Sequence, residues 1–327
     1  MTPRFKNASP FSSMKGSSKA MSLFLAVFAF IVVASALAQE DSSIIQIACQ
    51  GNSIQYFNDC PRLLEQMFLA ASTYNMSQNS CLRGGASIVS IWTQGNGMEE
   101  KFATPNARLP NGTGYDIGAP TVQALLKDDS FDFIIVNDQT QSPTRNHTRH
   151  ETIKELKKKY APLFIQSNIT PVLLQTAAYR VPGTKESADL GDFDAMTKLL
   201  QEGYHNYKQE LDTVFHKSGT LLQTRIAPVG NAYKELHDTA PDLWKQLYHT
   251  DDLHPSPHGT LLQGFVLYIT ITGEAPPTNY DPSTWWSRAR RMQPPEEPPL
   301  PLPTIEEAKS LRSVASKVCG MSDTDNQ

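Results

Sequence analysis

Three short stretches hold side chains that could carry out acyl transfer: "QGNSI" (Gln50–Ile54), "VNDQ" (Val136–Gln139) and "DDLHP" (Asp251–Pro255). Each has a plain reading when taken alone. Gly51 makes a turn and Ser53 or Asn58 caps a helix, since Ser and Asn are favoured caps. Asn137 is then a turn residue, and Asp251 with His254 a loop held by local hydrogen bonds. Taken together, they supply every part the chemistry needs. A serine hydroxyl attacking a carbonyl must lose its proton to a base with a pKa near working pH, and histidine fits. The imidazole needs a carboxylate to fix its tautomer and stabilise the imidazolium. The tetrahedral intermediate needs donors aimed at its oxyanion.

These residues must be brought together by the elements around them. Unbroken apolar runs of strand length occur at Ile44–Cys49, Phe131–Val136, Pro171–Leu174 and Leu222–Val229, with a weaker candidate at Cys81-Leu82. Between them, Leu63–Ala71, His150–Leu163, Met196–Phe215 and Pro241–Tyr248 repeat apolar residues every three or four positions, the period of a helix. Strands without polar alternation, separated by helices, predict a parallel sheet covered on both faces. The fold class is therefore α/β with three layers. Ligands in such sheets bind at the carboxyl ends of the strands. Ser53, Asn137, Asp251 and His254 all fall at such ends or in the loops beyond them.

On these residues the sequence resembles the SGNH or GDSL-type hydrolases. "QGNSI" stands where that superfamily has Gly-Asp-Ser, with Ser53 as nucleophile. "RGGAS" holds the second block's glycine, best matched by Gly85 with Gly84 as the fallback. "VNDQ" gives the asparagine, Asn137, and "DDLHP" gives Asp251 and His254. The resemblance runs from about Ile44 to Pro277. It implies a three-layer α/β/α sandwich with a mainly parallel, flavodoxin-like sheet. It also implies an oxyanion hole made by the backbone N–H groups of Ser53 and Gly85 and the side chain of Asn137. "APVGNAY" (Ala227–Tyr233) and "HPSPHG" (His254–Gly259) are similar to a poorly characterised bacterial-type branch. Two positions depart from the pattern. Asn52 replaces the usual aspartate, and Ile135-Val136 stands where a glycine often begins the third block.

The 327 residues carry a formal net charge of −4, which argues against nucleic acid as the main partner. Residues 1–20 are polar and basic, and Met21–Ala38 is an uncharged apolar block ending in Ala-Leu-Ala before Gln39, the pattern of a signal peptidase site. A signal anchor is the rival, because the block approaches the ~20 residues that span a bilayer. Asn75, Asn111, Asn146 and Asn168 each open an Asn-x-Ser/Thr acceptor sequence, consistent with passage through a secretory pathway. Cys49, Cys60, Cys81 and Cys319 are even in number, so one or two disulfides are expected in an oxidising compartment, with the pairing left open. For Cys49, inside a strand, a buried free thiol is an equal reading.

The domain reading is residues 1–38 as a signal peptide with an extended leading region, 39–278 as the hydrolase-like domain, 279–303 as a Pro-rich linker, and 304–327 as a terminal helix and tail. In that tail Thr304 and Glu307 have capping-box spacing. The cluster of Trp285, Trp286, Arg288, Arg290 and Arg291 reads as structural or solvated, with a sugar-binding or anion-binding patch as the rival. His249, Asp251, His254 and His258 lack the ligand spacing of a metal site, so no metal or other cofactor is expected. A Gly-x-Ser-x-Gly elbow is absent. The combined reading is a secreted serine esterase acting on a short-chain acyl ester of a carbohydrate or other small molecule. The alternatives are an O-acyltransferase with the same triad and a glycan-binding protein that has lost turnover.

Overall fold

The computed structural model describes residues 44–98, 118–127, 131–182, 187–289 and 299–321. The apolar block Met21–Ala38, its cleavage pattern and Asn111 lie outside these residues. Strand β1 (Ile44–Gly51) is followed by the one-turn helix α1 (Ser53–Tyr56) and by α2 (Cys60–Ala71), then β2 (Asn75–Leu82). Helices α3 (Ile88–Gln94) and α4 (Val122–Leu126) precede β3 (Phe133–Val136). Helices α5 (Asn146–Glu155) and α6 (Ala161–Gln166) precede β4 (Thr170–Leu174). The long α7 (Phe193–Ser218) leads to β5 (Arg225–Ala227). After it come α8 (Val229–Thr239), α9 (Pro241–Gln246), α10 (Pro257–Thr272), α11 (Pro282–Trp285) and α12 (Ile305–Val318).

All strand pairs are parallel, and among the described residues they form one five-stranded sheet in the order β2-β1-β3-β4-β5. This is the expected α/β class. Right-handed crossovers then place α2 and α10 on one face and the helices between β2 and β5 on the other. The order in which strands are added reverses between β1 and β3, and the carboxyl ends of those two parallel strands flank the crevice where such sheets bind ligands. β1, β3 and β4 carry apolar runs because both of their faces are buried. β2 is an edge strand, which explains its polar sequence NMSQNSCL and the weakness of its signal. β5 is three residues long, shorter than the run Leu222–Val229, because Leu222 precedes the strand and Val229 already begins α8.

Helix α10 is buried on nearly every side, packed against α2 and α12. Its Ser256 cap accepts from the backbone N–H groups of His258 and Gly259, and Pro257 suits the first turn, where its missing N–H costs nothing. Helix α12 opens with the Thr304–Glu307 capping box and buries Ala308, Leu311 and Ala315, while Ile305 stays exposed. Trp285 and Trp286 are buried. The Trp286 indole N–H donates to Tyr280 Oη at 3.0 Å, and Arg288 pairs with Glu65 at 2.9 Å. These partners give Trp285, Trp286 and Arg288 packing roles.

All four cysteines are free, so the expected disulfides are absent from the structure. Register supplies one reason. Cys49 lies opposite Ser80, which puts Cys81 one position off that pairing and on the other face of the sheet. Burial pushes the thiols of Cys60 and Cys81 up to about 12. Among the described residues no helix is long and apolar enough to cross a membrane.

Candidate active site

The site begins where β1 stops. A Cβ at Gly51 would lie 1.8 Å from Asn137 Oδ1, so only glycine allows β1 and the turn after β3 to approach so closely. Asn52 caps α1, its Oδ1 accepting from Ile54 N–H at 3.1 Å. Ser53 is the first helical residue and 8% exposed, which leaves its hydroxyl at the surface of the crevice. The N–H of a first helical residue has no acceptor within its own helix, so that of Ser53 can serve an oxyanion.

The base comes from the loop between α9 and α10. That loop is closed by a Tyr248–Pro255 bridge and by His249 N–H donating to His254 carbonyl at 2.7 Å. Asp251 Oδ1 accepts from the backbone N–H groups of Leu253 (3.0 Å) and His254 (2.9 Å), so the carboxylate folds back within one turn. Its Oδ2 then lies 2.6 Å from His254 Nδ1. A carboxylate only accepts, so Nδ1 carries the proton and Nε2 is left as the acceptor facing Ser53 Oγ at 2.8 Å. Partial burial opposes ionisation of Asp251. Hydrogen bonds from the His254 ring and the two N–H groups outweigh it and hold the carboxyl well below the usual range. Asp252 (φ 63°) turns the other way and pairs with Arg180.

Two neighbours fix the imidazole. Phe57 stacks on it, with ring centroids 4.0 Å apart and planes 7° from parallel. Asn58, itself in the left-handed region (φ 56°), donates through Nδ2 to Pro255 carbonyl at 2.9 Å and Thr260 Oγ1 at 3.1 Å. The turn carrying the serine is thereby tied to the loop carrying the histidine.

Asn137 is fully buried beneath Ser53 and forms a reciprocal pair with Asn52. Its Nδ2 donates to Asn52 Oδ1 at 2.8 Å and to Asp138 carbonyl at 3.0 Å. Its Oδ1 accepts from Asn52 N–H at 3.3 Å and Gln55 Nε2 at 2.8 Å. Both amide protons are thus engaged inside the turn, so the side chain holds β1 to β3. Asn52 Nδ2 donates in turn to the carbonyls of Ala86 (2.8 Å) and Asp138 (3.2 Å). That accounts for asparagine at 52 where the resemblance has aspartate, because a carboxylate would set oxygen against two carbonyl oxygens. The contact with Ala86 draws the Arg83–Ser87 loop against the turn, and Gly84 and Gly85 are exposed in that loop. Gly85 has φ +66°, a conformation that favours glycine.

Asp138 is buried and accepts from Ile88 N–H, Gln139 N–H, Thr152 Oγ1 and Tyr207 Oη, each at 2.9 Å. Burial pushes its carboxyl up, and these four donors oppose the rise. The sequence motif includes Asp138, but its donors lie 50 to 69 positions away, apart from those near in sequence at Gln139 and Thr152. Sequence reading assigned no site role to Tyr56, Phe57 or Asn58. The only available signal was their place within one turn of Ser53.

Metal-ligating side chains gather elsewhere. Asp194, His237 and Asp238 approach one another, but Lys234 Nζ lies between the two carboxylates, 3.3 Å from Asp194 and bonded to Asp238. An ammonium therefore already supplies the cation there. His258 pairs with Glu307 at 3.2 Å, and His147 and His150 are exposed on α5. Asn75, Asn146 and Asn168 are exposed as well.

No protein-family model and no curated protein matches the chain. Solved structures do. A DUF4886 family protein from Bacteroides uniformis superposes with TM-score 0.57 at 14% identity, over 84% of this chain and 95% of its own. An SGNH hydrolase candidate from Slackia heliotrinireducens does so with TM-score 0.44 at 22% identity, over 70% and 100%. A GDSL-like lipase from Bacteroides thetaiotaomicron gives TM-score 0.35 at 12% identity, over 70% and 86%. At 14% identity, the likeness to the DUF4886 family protein is one of fold.

Proposed function

We propose that this protein is a serine esterase that removes a short acyl group from a carbohydrate or other small ester. The observation that carries the reading is the relay from Ser53 Oγ to His254 Nε2 (2.8 Å) and from Nδ1 to Asp251 (2.6 Å). Ser53 attacks the ester carbonyl while His254 takes its proton. The imidazolium is stabilised by Asp251 on one side and by the face of Phe57. The backbone N–H of Ser53, with one from the Arg83–Ser87 loop, receives the oxyanion. Collapse expels the alcohol, protonated by His254, and a water activated by the same base releases the acid.

The apolar block Met21–Ala38 and the exposed acceptor asparagines support a secretory route. The test uses purified full-length protein with p-nitrophenyl acetate and acetylated oligosaccharides, beside Ser53→Ala. Ser53-dependent release of acetate supports the reading. Turnover unchanged by Ser53→Ala refutes it. Acetyl transfer to an added sugar in preference to water makes the enzyme an acyltransferase.

A further inference from the structure

One polar group beside the nucleophile has no part in the relay. Ser53 and Tyr56 are the first and last residues of α1, three apart and so on one face of its single turn. The Tyr56 hydroxyl lies within reach of the Ser53 side chain. It also reaches the neighbouring loop, since a Cβ on Gly84 would lie 2.9 Å from Tyr56 Oη. The hydroxyl is therefore placed between Ser53 and the Arg83–Ser87 loop. The ring is 4% exposed and packs with Leu82 and Met98 in a small apolar cluster separate from the main core, with Phe57 alongside. A phenol anchored in this way is preorganised. Burial raises its pKa, so it remains a donor through the neutral range.

The direction of a bond between the two hydroxyls follows from proton bookkeeping. Ser53 has one proton, which must go to His254 Nε2, so Tyr56 donates to Oγ. Asn137, meanwhile, has both amide protons bound at Asn52 Oδ1 and Asp138 carbonyl. We propose that the Tyr56 hydroxyl is an oxyanion donor of this site, taking the position at which the Asn137 amide is not directed; the proposal rests on the esterase reading above.

As Oγ bonds to the carbonyl carbon, its proton passes to Nε2 and the carbonyl π pair moves to oxygen. Oγ becomes a weak acceptor, and the new oxyanion on the same carbon is a strong one. Two oxygens sharing one carbon lie close together, so the phenol O–H turns from one to the other without giving up its proton. The bond strengthens only in the transition state, which is the condition for raising kcat.

Tyr56→Phe keeps the ring against Leu82 and Met98 and removes only the O–H. With the full-length protein and p-nitrophenyl acetate, kcat should fall about 10²-fold while KM hardly moves. Labelling of Ser53 by a fluorophosphonate, whose adduct sets a phosphoryl oxygen in the oxyanion position, should slow by a similar factor. A ring that merely packs would move neither. Gly84→Ala drives a methyl against the hydroxyl and should lower kcat in the same direction, so it carries the test if Tyr56→Phe fails to fold. Parental kcat and parental labelling in Tyr56→Phe, in a parent that labels and turns over, overturn this inference alone. A parent whose Ser53 neither labels nor turns over overturns the esterase reading, and this inference with it.

Discussion

Placing at position 52 the aspartate of the Gly-Asp-Ser pattern that the sequence resembles should damage this protein. Asn52 is 2% exposed, and its Nδ2 donates to the carbonyls of Ala86 at 2.8 Å and Asp138 at 3.2 Å. In Asn52→Asp the Ala86 carbonyl loses its donor, the Asp138 carbonyl keeps only Asn137 Nδ2, and both face a second oxygen. An unsatisfied buried acceptor costs about 1–3 kcal/mol, which sets the loss at the Ala86 carbonyl. The Oδ1 bonds from Ile54 N–H and Asn137 Nδ2 survive and keep the loss below that of a bare buried charge. The new carboxyl should ionise above its ordinary range, because protonation restores one donor. A folded pKa raised above the unfolded one gives stability that is present below the unfolded value and lost as pH rises through the folded value. The deficit against the parent should therefore be largest at pH 8 and shrink toward pH 4. Urea unfolding followed by tryptophan fluorescence reads it directly. A loss of about 2 kcal/mol over a slope of ~3 kcal/mol/M moves the midpoint by ~0.7 M. A variant as stable as the parent at pH 8, or one whose deficit grows on acidification, would refute the account of the Asn52–Asn137 pair.

Asp251→Asn should cut ester turnover about 10- to 10³-fold through the wrong imidazole tautomer. Asp252→Asn, which loses only the pair with Arg180, should cost less than about threefold on the same argument. The reverse order, measured with both variants shown to be folded by circular dichroism, would mean that His254 is oriented from elsewhere. Gly51→Ala should give little folded protein, because a methyl cannot share space with Asn137 Oδ1; soluble, active Gly51→Ala would count against the close approach of β1 and β3. Native protein at pH 8 should react slowly with a thiol reagent, since burial raises Cys60 and Cys81 to about 12 and Cys319 to about 11. In denaturant all four cysteines should react quickly, and a titre below four there would reveal a disulfide.

The class of fold was legible, and the residues of the candidate site could be named, because both rest on local patterns. The buried strands β1, β3 and β4 announce themselves through apolar runs, and Ser53 and the Asp251–His254 turn sit in compact motifs. β2 was nearly hidden because an edge strand does not need apolar residues on both faces. Helix α3 was hidden as well, since seven residues give too few turns for a period to register. What the sequence could not show is partnership across distance. Asn58 with Pro255 and Asn52 with Asn137 are separated by 197 and 85 positions, and no local pattern links them. The disulfide expectation failed for a related reason. Cysteine number says nothing of which face of a sheet each thiol occupies, and Cys49 and Cys81 occupy opposite ones.

Ser53 and His254 meet across 201 positions of chain. A ribosome adding ~5–20 residues per second exposes the serine turn at least ten seconds before the histidine loop exists. During that interval Ser53 has no imidazole partner, so on the esterase reading it is not yet activated. Closing so long a loop also carries a large entropic cost that only the assembled sheet offsets. Hydrolytic competence should therefore emerge last in refolding, after helix content and after burial of Trp285 and Trp286. Reactivity of Ser53 becomes a clock for the completion of this fold.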